Sequence, residues 1–476
     1  MTRLHQSRTS ADTVVTRTSG ASPRLVTLLL GAVLIATTCV VLGTAEATHY
    51  QILILALAAA AAIAVFVCLR PELFGIALVA MLLVPYTWSP TVRNSSTPII
   101  VLFALPGGLA GAVTLILRGQ LKLCILDYLV LAVFTSVLLS EIATLSATGV
   151  LAANTLSHDE FEIILLPYLA FRFILTAWPN IIAKLPNALM MTGAGLSLFA
   201  IWEELNNTNL LAHSSLNNSQ LAVWEVNYPR AGAIRVDATM GHPIAFGSFL
   251  LIPIVFAFTQ RRWPLFALLS IAEALTLSRG PYIAVIATLC LLGILTKRLG
   301  RLWVLLATIG IVALFIGPVR NSVTNSFQAG TREQRNANYR SELLGTSLNT
   351  LTLWGKPGGQ TSELFGHQGR VTLADVTSEF SLLAGRQGLL GLVIWIGFLG
   401  AFVYTILEAR KRSDPLLLSL GVILVGEWIA LLSVALITSF ECAFLLTLAM
   451  TATRLTIPSG TPRTAASHRR AQDARL

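Results

Sequence analysis

The sequence predicts an all-α, polytopic membrane protein with about fourteen transmembrane helices and one large extracytoplasmic loop that holds helices of its own. Three observations carry that expectation. Hydrophobic residues make up 55% of the 476 residues and charged ones only 12%, with a mean hydropathy of +0.73, values that no water-soluble globule approaches. Apolar runs of about 17–25 residues, the length a hydrocarbon core demands, follow one another down the chain. The basic residues cluster in the connections between those runs, where lysine and arginine fix membrane orientation. The net charge of +10 therefore points to a lipid bilayer as partner and not to nucleic acid.

Residues 1–24 form a basic segment with Arg3, Arg8, Arg17 and Arg24. Apolar runs then cover 25–43, 51–69, 73–86, 98–117, 125–145, 161–177, 185–203, 243–259, 263–277, 281–296 and 302–317, eleven helices in a block spanning 25–317. A loop over 318–385 separates them from runs at 387–407, 416–437 and 438–454, which share the block 386–454. A basic tail over 455–476 is expected to be disordered. The triplet AEA (Ala45–Ala47) resembles a signal-peptidase site. The preceding apolar run of about 19 residues exceeds a cleavable core, so the segment is expected to stay as a helix.

Placing the N-terminus in the cytoplasm puts 22 of the 33 basic residues inside and 11 outside. The inner set includes Arg70, Arg118, Lys122, Arg172, Lys184, Arg261, Arg262, Lys297 and the trio Arg410, Lys411 and Arg412. Most of the outer set lies in the long loop, which the positive-inside rule weighs little. Both termini are therefore expected in the cytoplasm. The five cysteines, Cys39, Cys68, Cys124, Cys290 and Cys442, show no paired spacing and read as small hydrophobes, with no metal site implied.

Two outer loops are long, Glu204–Gly241 and Pro318–Gly385. Within the second, NANYRSELLGTSLNTLTLWG has apolar residues at helical spacing ending at a glycine, and GKPGGQ reads as a turn. Between two apolar runs, LTLSRGPYIAV holds Arg279 in a short outward-facing turn bracketed by Ser278 and Gly280. Such an arginine can snorkel to lipid phosphates or hold an anionic ligand. The first outer loop supplies companions: YPRAGAIRVDATMGHPIAFGSFL places Arg235, Asp237 and His242 near the same surface, with Pro243 suited to a helix's first turn.

Taken in order, RVDATMGHPIAFGSFL, LTLSRGPYIAV, YRSELLGTSLNTLTLWGKPGGQ and SEFSLLAGRQGLLGLVIW resemble the motifs of the O-antigen ligase and O-antigen polymerase family, as does PYLAFRFIL. The match covers roughly residues 120–455. The resemblance implies a GT-C type glycosyltransferase in the bacterial cytoplasmic membrane, without metal or cofactor. It would move a glycan from a polyprenyl diphosphate to a glycan or lipid-linked acceptor, with possible envelope-synthesis proteins as partners. It also implies that Arg235, Arg279 and Arg340 hold the donor diphosphate. Guanidinium chemistry suits that role, since the planar fork grips phosphate oxygens and never loses its charge at neutral pH.

One departure stands out. Many members of the family place a histidine about twelve residues before a G-x-x-G-L pattern, and the corresponding position before Gly388–Leu392 is Thr377. Either the acceptor-activating group is then one of Glu379, Asp375, His242 and His367, or the chemistry leans on leaving-group stabilisation alone, or the chain has lost the activity. A rival reading rests on the intramembrane acids Glu273, Glu427 and Glu441, which would suit a proton-coupled flippase for lipid-linked oligosaccharides or another secondary transporter. A scaffold in an envelope-synthesis complex is the third.

Overall fold

The computed structural model describes residues 48–85, 88, 91–92, 95–96, 98–120, 122–148, 161–209, 211, 229–230, 233–297, 351–355, 379–432 and 438–457. The chain divides into two compact units, residues 1–69 and residues 70–476. The described part of the first is a single helix, α1 (Thr48–Leu69), with a run of alanines at its centre that favours helix over other states.

In the second unit the helices are α2 (Pro71–Ala80), α3 (Ile99–Arg118), α4 (Ile125–Thr148), α5 (Leu166–Ala177), α6 (Leu185–Asn206), α7 (Pro243–Thr259), α8 (Trp263–Leu275), α9 (Arg279–Leu295), α10 (Glu379–Arg412), α11 (Pro415–Leu431) and α12 (Thr438–Thr456). Short 3-10 turns extend or join them at Met81–Leu83 and Pro179–Ala183, and a π turn at Phe161–Leu165 leads into α5. Among the described residues the strands are two antiparallel ladders of two residues a side. Thr91–Val92 (β1) pairs with Ser95–Ser96 (β2), and Pro229–Arg230 (β3) with Ala233–Ile234 (β4).

Every apolar run that falls on described residues carries a helix. The runs at 25–43 and 302–317, most of 318–385 and the tail beyond residue 457 lie outside the described residues. Four stretches, Ile99–Arg118, Ile125–Ala143, Leu185–Asn206 and Gln387–Arg412, are long and apolar enough to cross a membrane by length and composition, and several further apolar helices are shorter. Their outer faces suit lipid. Leu109, Ile116 and Leu205 are 70%, 73% and 79% exposed, positions at which water would disfavour such side chains.

Local chemistry sets the helix ends. Proline opens α2, α5, α6, α7, α8 and α11, where its missing N–H has no intrahelical role. Asp414 caps α11 by accepting from Leu416 N and Leu417 N. Packing then follows side-chain size. On α3, an ideal Cβ at Gly108 would lie 2.6 Å from Ala170 Cα, and one at Gly111 2.8 Å from the Phe173 carbonyl carbon, so only glycine lets α3 sit this close to α5. Helix α7 is apolar on every side and buried along nearly its whole length, packed by α6, α8, α9, α11 and α12.

Polar contacts mark the two ends of this bundle. At one end Arg118 donates to Ala177 O at 3.4 Å, Lys184 pairs with Glu72 at 3.7 Å, Arg412 donates to Ile457 O at 3.0 Å and Arg454 pairs with Asp414 at 2.6 Å. Arg172 sits in the same region yet is 3% exposed. Its Nε and Nη2 meet the two Asp127 oxygens at 2.9 and 3.2 Å, and its Nη2 also donates to Lys122 O at 2.9 Å. It is the centre of a buried network that ties α5 to α4 and, through Thr453, to α12.

Candidate functional site

At the opposite end, three residues join α8 to α9: Thr276, Leu277 and Ser278. Leu277 takes φ +50°, a left-handed conformation that costs a side-chain-bearing residue about 1–2 kcal/mol. Hydrogen bonds hold it there. Thr276 Oγ1 donates to Glu273 O at 2.8 Å and accepts from Ser278 N at 3.2 Å, and Ser278 Oγ donates to Thr276 O at 3.1 Å.

Arg235 completes the turn from a distant part of the chain. The β3–β4 hairpin delivers it directly, since Ile234 is the last ladder residue. Its Nε donates to Thr276 O at 3.0 Å and its Nη2 to Ser278 Oγ at 2.6 Å. The segment that follows is pinned at several points. Ala238 N donates to Glu203 Oε2 at 3.0 Å, Thr239 Oγ1 to Leu82 O at 3.0 Å, and Asn209 Nδ2 to Asp237 Oδ1. Burial pushes the Asp237 carboxyl up to about 7, against the Asn209 hydrogen bond and the Arg235 charge.

Arg279 opens α9 and behaves differently. Its Nε and Nη2 are buried and meet no hydrogen-bond acceptor among the described residues. Ser278 is the N-cap residue of α9, yet its side chain makes no capping bond. The amino end of α9 thus presents a guanidinium with unused donors beside a helix terminus whose own partial charge attracts anions.

The two arginines singled out from sequence therefore meet at one turn. His242 has a structural task at the start of α7: its Nδ1 accepts from Ile244 N at 3.1 Å and caps that helix. Glu379 is the first residue of α10. Asp375, Arg340 and His367 lie outside the described residues. Sequence reading missed Ser278 and Thr276 as the acceptors of Arg235, and Glu203 as the buried acceptor of Ala238 N. A glutamate in the last turn of an apolar helix was the available signal for Glu203.

Deeper in the bundle, Glu273 and Glu427 are 4% and 0% exposed, and among the described residues none of their four carboxyl oxygens has a hydrogen-bond partner. Glu427 lies within electrostatic range of Glu273, and an ideal Cβ at Gly247 would sit 3.2 Å from both Glu273 oxygens. Replacing Glu427 by Met is expected to raise the thermal unfolding temperature in detergent, a gain of about 1–3 kcal/mol from removing buried acceptors that no donor meets. A drop in unfolding temperature would show that the carboxyl has a partner. Among the described residues no group of three His, Cys, Asp or Glu side chains could hold a metal ion. No protein-family model matches the chain, and no curated protein matches it.

Proposed function

We propose that this chain is an extracytoplasmic glycosyltransferase that moves a glycan from a polyprenyl diphosphate to an acceptor sugar, as a polysaccharide polymerase or ligase. The observation that carries the reading is Arg279, whose buried Nε and Nη2 meet no acceptor among the described residues at the amino end of α9. A diphosphate supplies the acceptor oxygens that this arrangement lacks. The ordered motifs that resemble the O-antigen ligase and polymerase family support the same reading. In the full topology about fourteen helices cross the bacterial cytoplasmic membrane, both termini are cytoplasmic, and the turn at Arg279 and residues 318–385 face outward.

In the reaction an acceptor hydroxyl attacks C1 of the donor sugar and its proton passes to a base. The C1–O bond breaks with its electron pair staying on the polyprenyl diphosphate. Arg279 stabilises the charge that develops on that leaving group. Glu379 is the first candidate for the base, followed by Asp375 and His242, the last through its Nε2 because Nδ1 caps α7. A positioned base contributes about 10²- to 10⁴-fold.

Binding of undecaprenyl diphosphate to the protein in lipid nanodiscs tests the assignment. Arg279→Ala and Arg279→Lys are each expected to weaken binding about tenfold or more, the Lys variant because it lacks the fork. Wild-type affinity in both variants would remove the diphosphate from the account. Glu273 and Glu427, buried with no hydrogen-bond partner among the described residues, favour a second reading as a proton-coupled transporter of lipid-linked glycans. Proteoliposomes separate the two: transport predicts translocated donor with no new glycosidic bond, whereas transfer predicts the reverse.

A further inference from the structure

We infer that the two arginines have different tasks: Arg279 is the anion ligand, and Arg235 is a positioning residue that keeps the amino end of α9 open for that anion. The inference rests on the diphosphate reading above and departs from the expectation that both guanidinium groups grip the donor.

The geometry carries it in three steps. Arg235 directs two of its donors at the turn, Nε to Thr276 O at 3.0 Å and Nη2 to Ser278 Oγ at 2.6 Å. Both acceptors flank Leu277, the left-handed residue at φ +50°, so the bonds brace the one strained point of the connection. The second step concerns Ser278. A serine at an N-cap ordinarily turns its oxygen onto the second or third N–H of its helix; the third residue of α9 is Pro281, which has no N–H, so Gly280 N is the one such donor, and Ser278 does not take it. Its hydroxyl accepts from Arg235 and donates to Thr276 O instead. Arg235 thus holds the Ser278 oxygen on the turn and off the Gly280 amide.

The third step is what the first two leave behind. With Ser278 engaged elsewhere, its side chain does not cap the amino end of α9, and the buried Nε and Nη2 of Arg279 stand beside it with no acceptor among the described residues. An anion with several oxygens, such as a diphosphate, can use both. The arrangement also links the outer loop to the site. The hairpin at 229–234 and the pinned segment at 235–242 hold Arg235 in register with a turn about 40 residues further along the chain.

The division of tasks predicts opposite responses to lysine. Thr276 O and Ser278 Oγ are 3.1 Å apart, so one ammonium group can donate to both, and Arg235→Lys preserves the brace. At position 279 a lysine offers a point charge where a fork is needed. The experiment measures undecaprenyl diphosphate binding in nanodiscs for Arg235→Lys, Arg235→Ala, Arg279→Lys and Arg279→Ala. Arg235→Lys is expected to stay within about threefold of wild type, while Arg235→Ala and both position-279 variants fall about tenfold or more. Equal losses for Arg235→Lys and Arg279→Lys would overturn the inference and make Arg235 a direct ligand. Unchanged binding in Arg235→Ala would also overturn it. Failure of the underlying diphosphate reading looks different, since binding would then be indifferent to both position-279 variants.

Discussion

Asp127→Ala is expected to cost about 3–5 kcal/mol of stability, because it leaves a buried guanidinium without its counter-charge. Arg172 is 3% exposed and cannot swing into water. The Asp127 carboxylate takes more than this one partner, accepting from Tyr168 Oη at 2.7 Å and from Cys124 N at 2.7 Å. Its loss therefore orphans donors on α5 and at the start of α4 together. Thermal unfolding of the purified protein in detergent measures the effect, and the double variant Asp127→Ala with Arg172→Met supplies the control. The double variant is expected to recover most of the loss, since replacing a buried ion pair by apolar groups is often neutral or better. A single variant as stable as wild type would mean that Arg172 finds another acceptor.

That network also shows where sequence reading stops. The positions of the helices were legible from apolar run length and proline placement: the run at 243–259 coincides with α7, Pro243–Thr259. The basic clusters between runs were legible in the same way, yet their partners were not. Arg172 reads in sequence as one more inward-facing charge, and only the hydrogen bonds from α5 to the start of α4 reveal that it is buried against Asp127. Glu203 behaves likewise. The apolar run ends at 203, whereas α6 continues to Asn206 and buries that carboxyl beneath Ala238 N.

The candidate site was half legible. A short turn with an arginine, and a second arginine ending a polar loop, are patterns that chemistry marks as candidates for anion binding beside the plainer reading of an arginine snorkelling to lipid. The distinction between them is absent from the sequence, because it depends on hydrogen bonds across about 40 residues that no spacing rule encodes. The start of α10 was similarly half legible. A helix beginning near Gln387 is what GRQGLLGL suggests, and residues 379–412 are in fact helical with a break at Gly388, where φ is 63° and ψ is −147°.

At that break Gly388→Ala is expected to be among the most damaging single-methyl changes in the protein. The conformation is one that only glycine adopts freely, so an alanine there carries strain of about 1–3 kcal/mol. Space is lacking as well. An ideal Cβ would lie 2.2 Å from Thr352 O and 2.4 Å from Gly355 N, both backbone atoms that cannot turn aside, which adds an overpacking cost of about 1–3 kcal/mol. The segment Leu351–Gly355 is what must give way. It is held on α10 by Leu389 N donating to Thr352 O at 2.9 Å and Leu390 N to Leu353 O at 3.4 Å. Hydrogen exchange of peptides covering 388–392 should accelerate in Gly388→Ala, reporting the release of those two amides. Gly400→Ala on the same helix, with nothing within 4 Å of its ideal Cβ, should leave exchange at wild-type rates. Because 351–355 belongs to the long loop that also holds Asp375, the proposed function adds a kinetic consequence. Undocking this segment should slow glycan transfer more than it weakens donor binding at Arg279. Equal exchange in wild type and Gly388→Ala would mean that the segment is not fastened at Gly388, and the kinetic consequence would fall with it.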